Sequence, residues 1–309
     1  MSIDIRIKKG VNINLKGSAE RVYASIPQAE CFAIKPSDFK GLTPKLSVKA
    51  GDKVQAGSSL FFDKENPSIK ITSPVSGEVT EIRRGEKRKI LEVVIKADAE
   101  ISLIEFPKAD AKDLSREQII TQMLDAGLWP FVRQRPYAVI ANPNDMPKAI
   151  FISAFDSAPL ACDNDFVLHG MEKEFQTGLD IITKLTEGKT HLNIDGNANS
   201  SSVFTSAKNV QINNFSGVHP AGNVGVQIHH IDPINKGEVV WYMYPQDIIA
   251  IGRLFSEGKY DATRLIALAG SQVKKPRYYR TMQGASISSI IENNIKEGVN
   301  RFISGNVLT

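Results

Sequence analysis

Cysteine is almost missing from this chain: two residues in 309, Cys31 and Cys162, far apart and in no CxxC pair. That excludes an iron–sulfur cluster or a thiolate zinc site within these residues and suits a reducing compartment. No apolar run approaches the roughly 20 residues needed to span a bilayer. The opening Met-Ser-Ile-Asp-Ile-Arg-Ile-Lys-Lys has neither an apolar core nor a cleavage signal. No G-x-G-x-x-G fingerprint occurs; Gly222-x-x-Gly225 comes nearest, with no acidic residue at the offset a dinucleotide site needs. G-x-S-x-G is also missing, so neither NADH binding nor hydrolase chemistry is supported. Charge of one sign is scarce as well: 38 basic against 34 acidic residues leave a net +4, too little and too evenly spread for a nucleic-acid partner. The densest basic run, Arg83, Arg84, Lys87, Arg88 and Lys89, is interleaved with Glu81 and Glu86, the composition of a solvated hairpin tip.

With 42% apolar and 23% charged residues, the chain reads as an ordinary globular protein of two or three domains. It is expected in the cytoplasm, meeting a membrane only through a partner. Residues 42–95 read as short strands with evenly spaced turns. Val48-x-x-Gly51-Asp52-x-Val54-x-x-Gly57 and Ser73-Pro74-Val75-x-Gly77-x-Val79 resemble the small β-sandwich of biotinyl and lipoyl carrier domains. A carrier needs a lysine at its hairpin tip. Asn66 stands there instead, Lys64 is two residues early, and no Met-Lys or Asp-Lys-Ala surrounds it, so the scaffold is expected unmodified.

From about residue 101 helices alternate with strands, the mark of an α/β domain. Ser115-Arg-Glu-Gln118 is a capping box opening a helix over Ile119, Ile120, Met123 and Leu124, ended by Gly127. Asp163 and Asp165 open a long helix with core face Leu168, Met171, Phe175, Leu179, Ile182 and Leu185, and His169 lies beside the stripe on the surface. Strands are expected at 149–153, 191–194 and 210–213, and a helix from Pro245 to Gly258. Residues 263–269, 278–282, 288–295 and 299–303 then read as a β-β-α-β unit. Val299–Thr309 gives a strand, a turn and the start of something more, so further chain is expected beyond it.

The densest chemistry lies in Gly217–Pro233, which holds three of the five histidines: His219-Pro220-Ala221-Gly222 forms a turn, and Ile228-His229-His230-Ile231-Asp232-Pro233 follows. A strand, a glycine-bearing turn, a short helix and another strand is how an α/β fold presents a site at its sheet edge. His219, His229 and His230 could supply hydrogen-bond donors, with Trp129, Phe131 or Trp241 as apolar walls. The same stretch also suits a structural turn requiring Pro220 and Gly222 for its geometry alone. A metal site is set aside, because adjacent histidines diverge on any regular element and no i, i+4 pair exists. Arg133 and Arg135 read as loop salt bridges or as partners for a carboxylate or anion.

His219-Pro-Ala-Gly222 and Ile228–Pro233, downstream of Ala126–Phe131 and Phe155-Asp-Ser-Ala-Pro-Leu160, resemble the A subunit of the Na⁺-translocating NADH:quinone oxidoreductase. That family is related to the C subunit of the Rnf electron-transport complex and, distantly, to the flavin-bearing subunit of complex I. The resemblance implies α/β architecture with a β-rich start. A barrel-sandwich hybrid would span residues 1–100, a Rossmann-like domain 101–257, and a small ubiquitin-like (β-grasp) α+β domain 258–309, continued in a missing C-terminal region. It further implies a peripheral subunit on the inner face of the bacterial membrane, partnered by the other subunits of a sodium pump. NADH, flavins and iron–sulfur centres would belong to those subunits, with no cofactor held here, and the resemblance makes His219, Pro220, Gly222, His229 and His230, walled by Trp129, Phe131 or Trp241, candidates for a quinone contact or a subunit-docking surface. The flavin-binding relatives have a glycine-rich loop where this chain runs Gly127-Leu-Trp129-Pro130-Phe131-Val-Arg133-Gln-Arg135-Pro136; bulky residues and prolines there oppose close backbone approach to phosphate. An Rnf-type subunit, or a lipoyl-like carrier or scaffold, is the alternative.

Overall fold

The computed structural model describes residues 2–308. Two strands come first, β1 (Asp4–Ile7) and β2 (Glu20–Ala24), followed by the seven strands of the sandwich. These are β3 (Cys31–Ile34), β4 (Pro44–Leu46), β5 (Lys53–Val54), β6 (Ser59–Asp63), β7 (Lys70–Thr72), β8 (Gly77–Arg84) and β9 (Ile90–Ala97). They form a four-stranded sheet, β3-β9-β8-β5, facing a three-stranded one, β4-β6-β7. The two-residue period of β9 sends Val93 and Ile95 fully inside while Lys96 faces out; Leu91, at the register shift in the β8–β9 pairing, breaks the alternation and is exposed. Arg83 between Glu81 and Glu92, at 2.8 and 2.5 Å, confirms the basic run as a solvated hairpin. At the β6–β7 tip the Asn66 carbonyl accepts from Ile69 N–H, and Lys64 is exposed.

The α/β unit begins with α1 (Arg116–Asp125). Ser115 and Gln118 cap it reciprocally, as their spacing predicts. Next come β10 (Arg133–Arg135), β11 (Val139–Ile140), β12 (Ala149–Ser153), α2 (Asn164–Val167), α3 (Glu172–Ile182), β13 (Lys189–Asp195), α4 (Ser202–Thr205), β14 (Gln211–Gly217), α5 (Val224–Ile231), β15 (Val240–Met243) and α6 (Pro245–Glu257). The seven-stranded sheet runs β1-β14-β13-β12-β15-β10-β11, parallel from β1 to β15, with β10 antiparallel to both β15 and β11. Ile150 and Ile152 join the large core with α3 and α6. Ala149, Phe151, Val240 and Tyr242 pack with Val224 and Ile228 of α5 on the opposite face. Alternation along one strand thus serves two helix layers.

Three expectations need correction. The single long helix from Asp163 is two helices. Gly170 takes φ +81°, a left-handed conformation that ends the first turn, and α3 restarts two residues later. Leu168, Phe175, Leu179, Ile182 and Leu185 are buried all the same, so the stripe reports burial rather than helix continuity. Next, β16 (Thr263–Leu268) and β17 (Arg277–Met282) pair as expected, but the following helix, α7, covers only Ser288–Ile291, and residues 299–303 form no strand. The third strand of that sheet is β2, parallel to β17. Finally, β1 and β2, grouped by sequence with the sandwich, pair in the other two sheets.

Burial pushes the Cys162 thiol up to about 12, with Asp163 adding to the effect, whereas Cys31 is exposed. At pH 8 a chromogenic disulfide reagent should therefore titrate one thiol promptly and the second only after denaturation.

Candidate functional site

The His219 turn leaves the end of β14 and is tied on three sides. The His219 carbonyl accepts from Val11 N–H (3.1 Å), and its N–H donates to Asn12 Oδ1 (2.9 Å), so the exposed segment after β1 lies against it. Ser157 Oγ accepts from Gly222 N–H (2.8 Å) and sits 3.0 Å from His219 Nδ1. A Cβ on Gly222 would lie 2.4 Å from Ser157 N, so the two loops meet backbone to backbone.

Beneath the turn lies a polar row that sequence reasoning missed. Ser153, Asn193 and Asn213 stand opposite one another on β12, β13 and β14. Gln227, fully buried on α5, donates to Ser153 Oγ (2.9 Å) and to the Ala221 carbonyl (3.1 Å) and accepts from Asn193 Nδ2 (2.9 Å). Asn213 Nδ2 donates to Asn193 Oδ1 at 2.9 Å, and Ser153 Oγ reaches the Gly222 carbonyl at 3.0 Å. Two carbonyls of the His-Pro-Ala-Gly turn are thereby held from below. The available signal was polar residues at alternate positions in apolar strands: His191 and Asn193, Gln211 and Asn213.

His191, one row back, is buried, stacks on Phe151 (4.6 Å) and has Asn213 Nδ2 at 3.3 Å from its Nδ1. Burial, with Lys189 helping, pushes its pKa down to about 4. The unfolded chain takes up this proton near pH 6.5, while the folded one resists until about 4. The associated stability is therefore complete above pH 6.5 and is lost as pH falls toward 4, by roughly 3 kcal/mol at the lower end. Urea titrations at pH 7.5, 6 and 5 should show this slope, and His191→Gln should remove it.

The remaining candidates do not converge. His229 and His230 are exposed in the last turn of α5, their rings 5.3 Å apart, and His230 Nδ1 donates to the Val226 carbonyl (2.9 Å). An eight-residue helix, about 12 Å long, separates them from His219. Asp232 is taken by Lys148 at 2.6 Å. Trp129 and Trp241 are fully buried, edge to face at 5.4 Å, and donate to the Ala141 carbonyl (2.8 Å) and to Gln134 Oε1 (3.2 Å). They are core pillars, not walls of an open cleft. Phe131, half-buried, carries the Arg264 guanidinium on its ring at 4.9 Å. It adjoins β10, four strands and about 19 Å from β14.

The segment after α1 packs tightly on the sandwich. Gly127 takes φ +74°, and a Cβ there would meet Thr72 Oγ1 of the sandwich at 2.3 Å. Thr72 Oγ1 donates to the Ala126 carbonyl (3.3 Å), and Lys70 pairs with Asp125 at 2.8 Å. A cleft of about 470 Å³ opens nearby, between the β6–β7 tip and residues 139–144. Leu42, Ile69, Val139 and Ile140 supply its apolar lining, with Asn66 and Asn142 among the polar groups.

Residues 5–98 match the NqrA N-terminal barrel-sandwich hybrid domain, 114–260 the NqrA second alpha/beta domain, and 265–309 the NQRA C-terminal domain. The A subunit of the Na(+)-translocating NADH-quinone reductase of Photorhabdus laumondii is 40% identical over 308 residues, 98% of this chain and 68% of that one. Its counterpart in Histophilus somni is 39% identical over 307 residues, 99% and 68% of the two chains. A chain of an NAD+-reducing [NiFe]-hydrogenase overlays with a TM-score of 0.43 at 14% identity, covering 62% of this chain and 40% of its own, too loose a match to assign fold or chemistry.

Proposed function

The chain belongs to the NqrA family, the A subunit of the Na⁺-translocating NADH-quinone reductase, and from that premise we propose that it is a peripheral subunit on the cytoplasmic face of the complex. It docks on the membrane subunits and holds no redox cofactor of its own; NADH, flavins and iron–sulfur centres are carried by its partners. The observation that carries this reading is the family match along the whole chain. The packing of Gly127 on Thr72 and the buried Trp129–Trp241 pair support the cofactor-free part, because they fill the space a phosphate-cradling loop would need. Among the described residues no helix is long and apolar enough to cross a membrane, which agrees with attachment through partners. Purified alone, the chain should be colourless with an unmodified mass. Co-expressed with the other subunits, it should be recovered with them. A yellow chain, or one recovered free, would overturn the reading.

A second reading is favoured by the 470 Å³ cleft, whose apolar wall of Leu42, Ile69, Val139 and Ile140 faces amides and the charged Lys40, Asp63 and Glu65, a mixture that offers a quinone head group an apolar wall and polar partners for its carbonyls. Ala141 lines it, and its carbonyl receives the Trp129 indole N–H, so an occupant should alter tryptophan fluorescence. Titration with a soluble quinone analogue should saturate and weaken at least tenfold in Val139→Phe, leaving His219→Ala unaffected. The opposite pattern would move the contact to the His219 turn.

A further inference from the structure

Six arginines are half-buried, and four of them have partners. Arg253 pairs with Asp261 and Arg264 with Asp247 at 2.9 Å, Arg116 donates to the Leu185 and Asp145 carbonyls, and Arg277 has the Glu20 carboxylate at 4.0 Å, although its buried Nε finds no hydrogen-bond acceptor. The side chains of Arg133 and Arg135 form no ion pair or hydrogen bond among the described residues, so the loop salt bridges that their sequence suggests are not made. Arg135 Nε is buried with no acceptor. Its guanidinium lies over the Tyr242 ring at 5.2 Å, and a Cβ on Gly225 of α5 would stand 3.7 Å from it. Leaving such a donor unmet is costly. Arg133 has Asp38 and Asp247 at longer range, but the Asp247 carboxylate is already engaged by Arg264.

The two-residue period of β10 puts Arg133 and Arg135 on one face of the sheet, and Arg133 lies opposite Tyr242 of β15. Tyr244, 51% exposed, continues that face past Tyr242, and Tyr137, 74% exposed, stands just beyond β10. Tyrosine and arginine on an open surface are the residues that anchor protein interfaces. A guanidinium stacked on a ring presents its remaining N–H edge in the fork that fits a carboxylate.

We propose that this arginine–tyrosine face receives the carboxylates of an acidic segment of another subunit of the reductase, one each at Arg133 and Arg135. The inference rests on the docking reading above and names the surface that performs it. The test is to express the whole complex with R133E/R135E in this chain and recover it, at 0.1 and 0.3 M NaCl, through a tag on a different subunit. Retention should fall at least tenfold at the lower salt, R133K/R135K should lose less, and the isolated variants should keep their Tm within about 2 °C. R84E, on the exposed sandwich hairpin, should be retained like wild type. Full retention of R133E/R135E, or an equal loss in R84E, would overturn the proposal. So would an Arg135-dependent rise in Tm with inorganic phosphate while co-purification stands, since the site would then belong to a small anion. If the wild-type chain itself is not recovered with the tagged subunit, the docking reading falls together with this inference. If wild type and variant are both recovered, only this inference falls.

Discussion

Trp129→Ala is expected to cost about 4 kcal/mol of folding stability and still yield a chain that does not take up flavin. Trp129 is wholly buried, edge-on to Trp241, and truncating such a side chain typically costs roughly 3–5 kcal/mol through lost burial and the cavity left behind. The Ala141 carbonyl, which receives the indole N–H at 2.8 Å, loses its donor as well. Because Gly127 in the same segment is wedged on Thr72, loosening should spread to the seam between the sandwich and the α/β unit. The void does not recreate a flavin loop: Pro130 offers no N–H, and the Gly127 backbone remains covered by Thr72. Urea unfolding of the variant measures the first claim, and absorbance after equilibration with excess FMN measures the second. Loss of less than about 1 kcal/mol would mean that the indole pocket collapses or fills with water, and a flavin spectrum would show that the tryptophan alone had been blocking the site.

What the sequence disclosed was whatever local chemistry decides. Ser115 and Gln118 can satisfy each other's backbone wherever the helix packs, and Pro245 and Gly258 bracket α6 by removing a donor and by taking a left-handed turn, φ +73°. The carrier-like glycine and valine runs imply tight turns at fixed intervals, and the sandwich follows from them. Position in the assembled sheets is a different matter. Nothing local in Glu20–Ala24 indicates that it pairs with Arg277–Met282, more than 250 residues away. Apolar spacing carries straight through Gly170 because Leu168 and Phe175 face one core whether or not the backbone between them is helical. The histidines drew attention as reactive side chains, yet His219 lies in the turn before α5 and His230 in the last turn of that helix. The residues that shape the turn are amides, Gln227, Asn193 and Asn213, whose importance arises only when three strands align in register.

Gln227→Leu separates packing from polarity at that point. Leucine keeps most of the volume beneath the turn, so the cavity term is small. It leaves Asn193 Nδ2 without its acceptor, and Ser153 Oγ and the Ala221 carbonyl without a donor, in a row where Gln227, Asn193 and Asn213 are all fully buried. Each stranded group costs about 1–3 kcal/mol, and with partial rearrangement the net loss should be about 4 kcal/mol. Because the Ala221 carbonyl belongs to the His219 turn, local order should fall further than global stability. Hydrogen exchange at Gly222, whose amide bonds Ser157 Oγ at 2.8 Å, should accelerate even under native conditions. A variant as stable as wild type with unchanged exchange would mean that Ser157 and Asn12 alone hold the turn. A large stability loss with exchange at Gly222 unaltered would make the row a support for the sheet, leaving the turn's shape to its own Pro220 and Gly222. Accelerated exchange with the loss would tie the presentation of His219 to a buried amide eight residues along the chain, which no inspection of the histidines themselves would reveal.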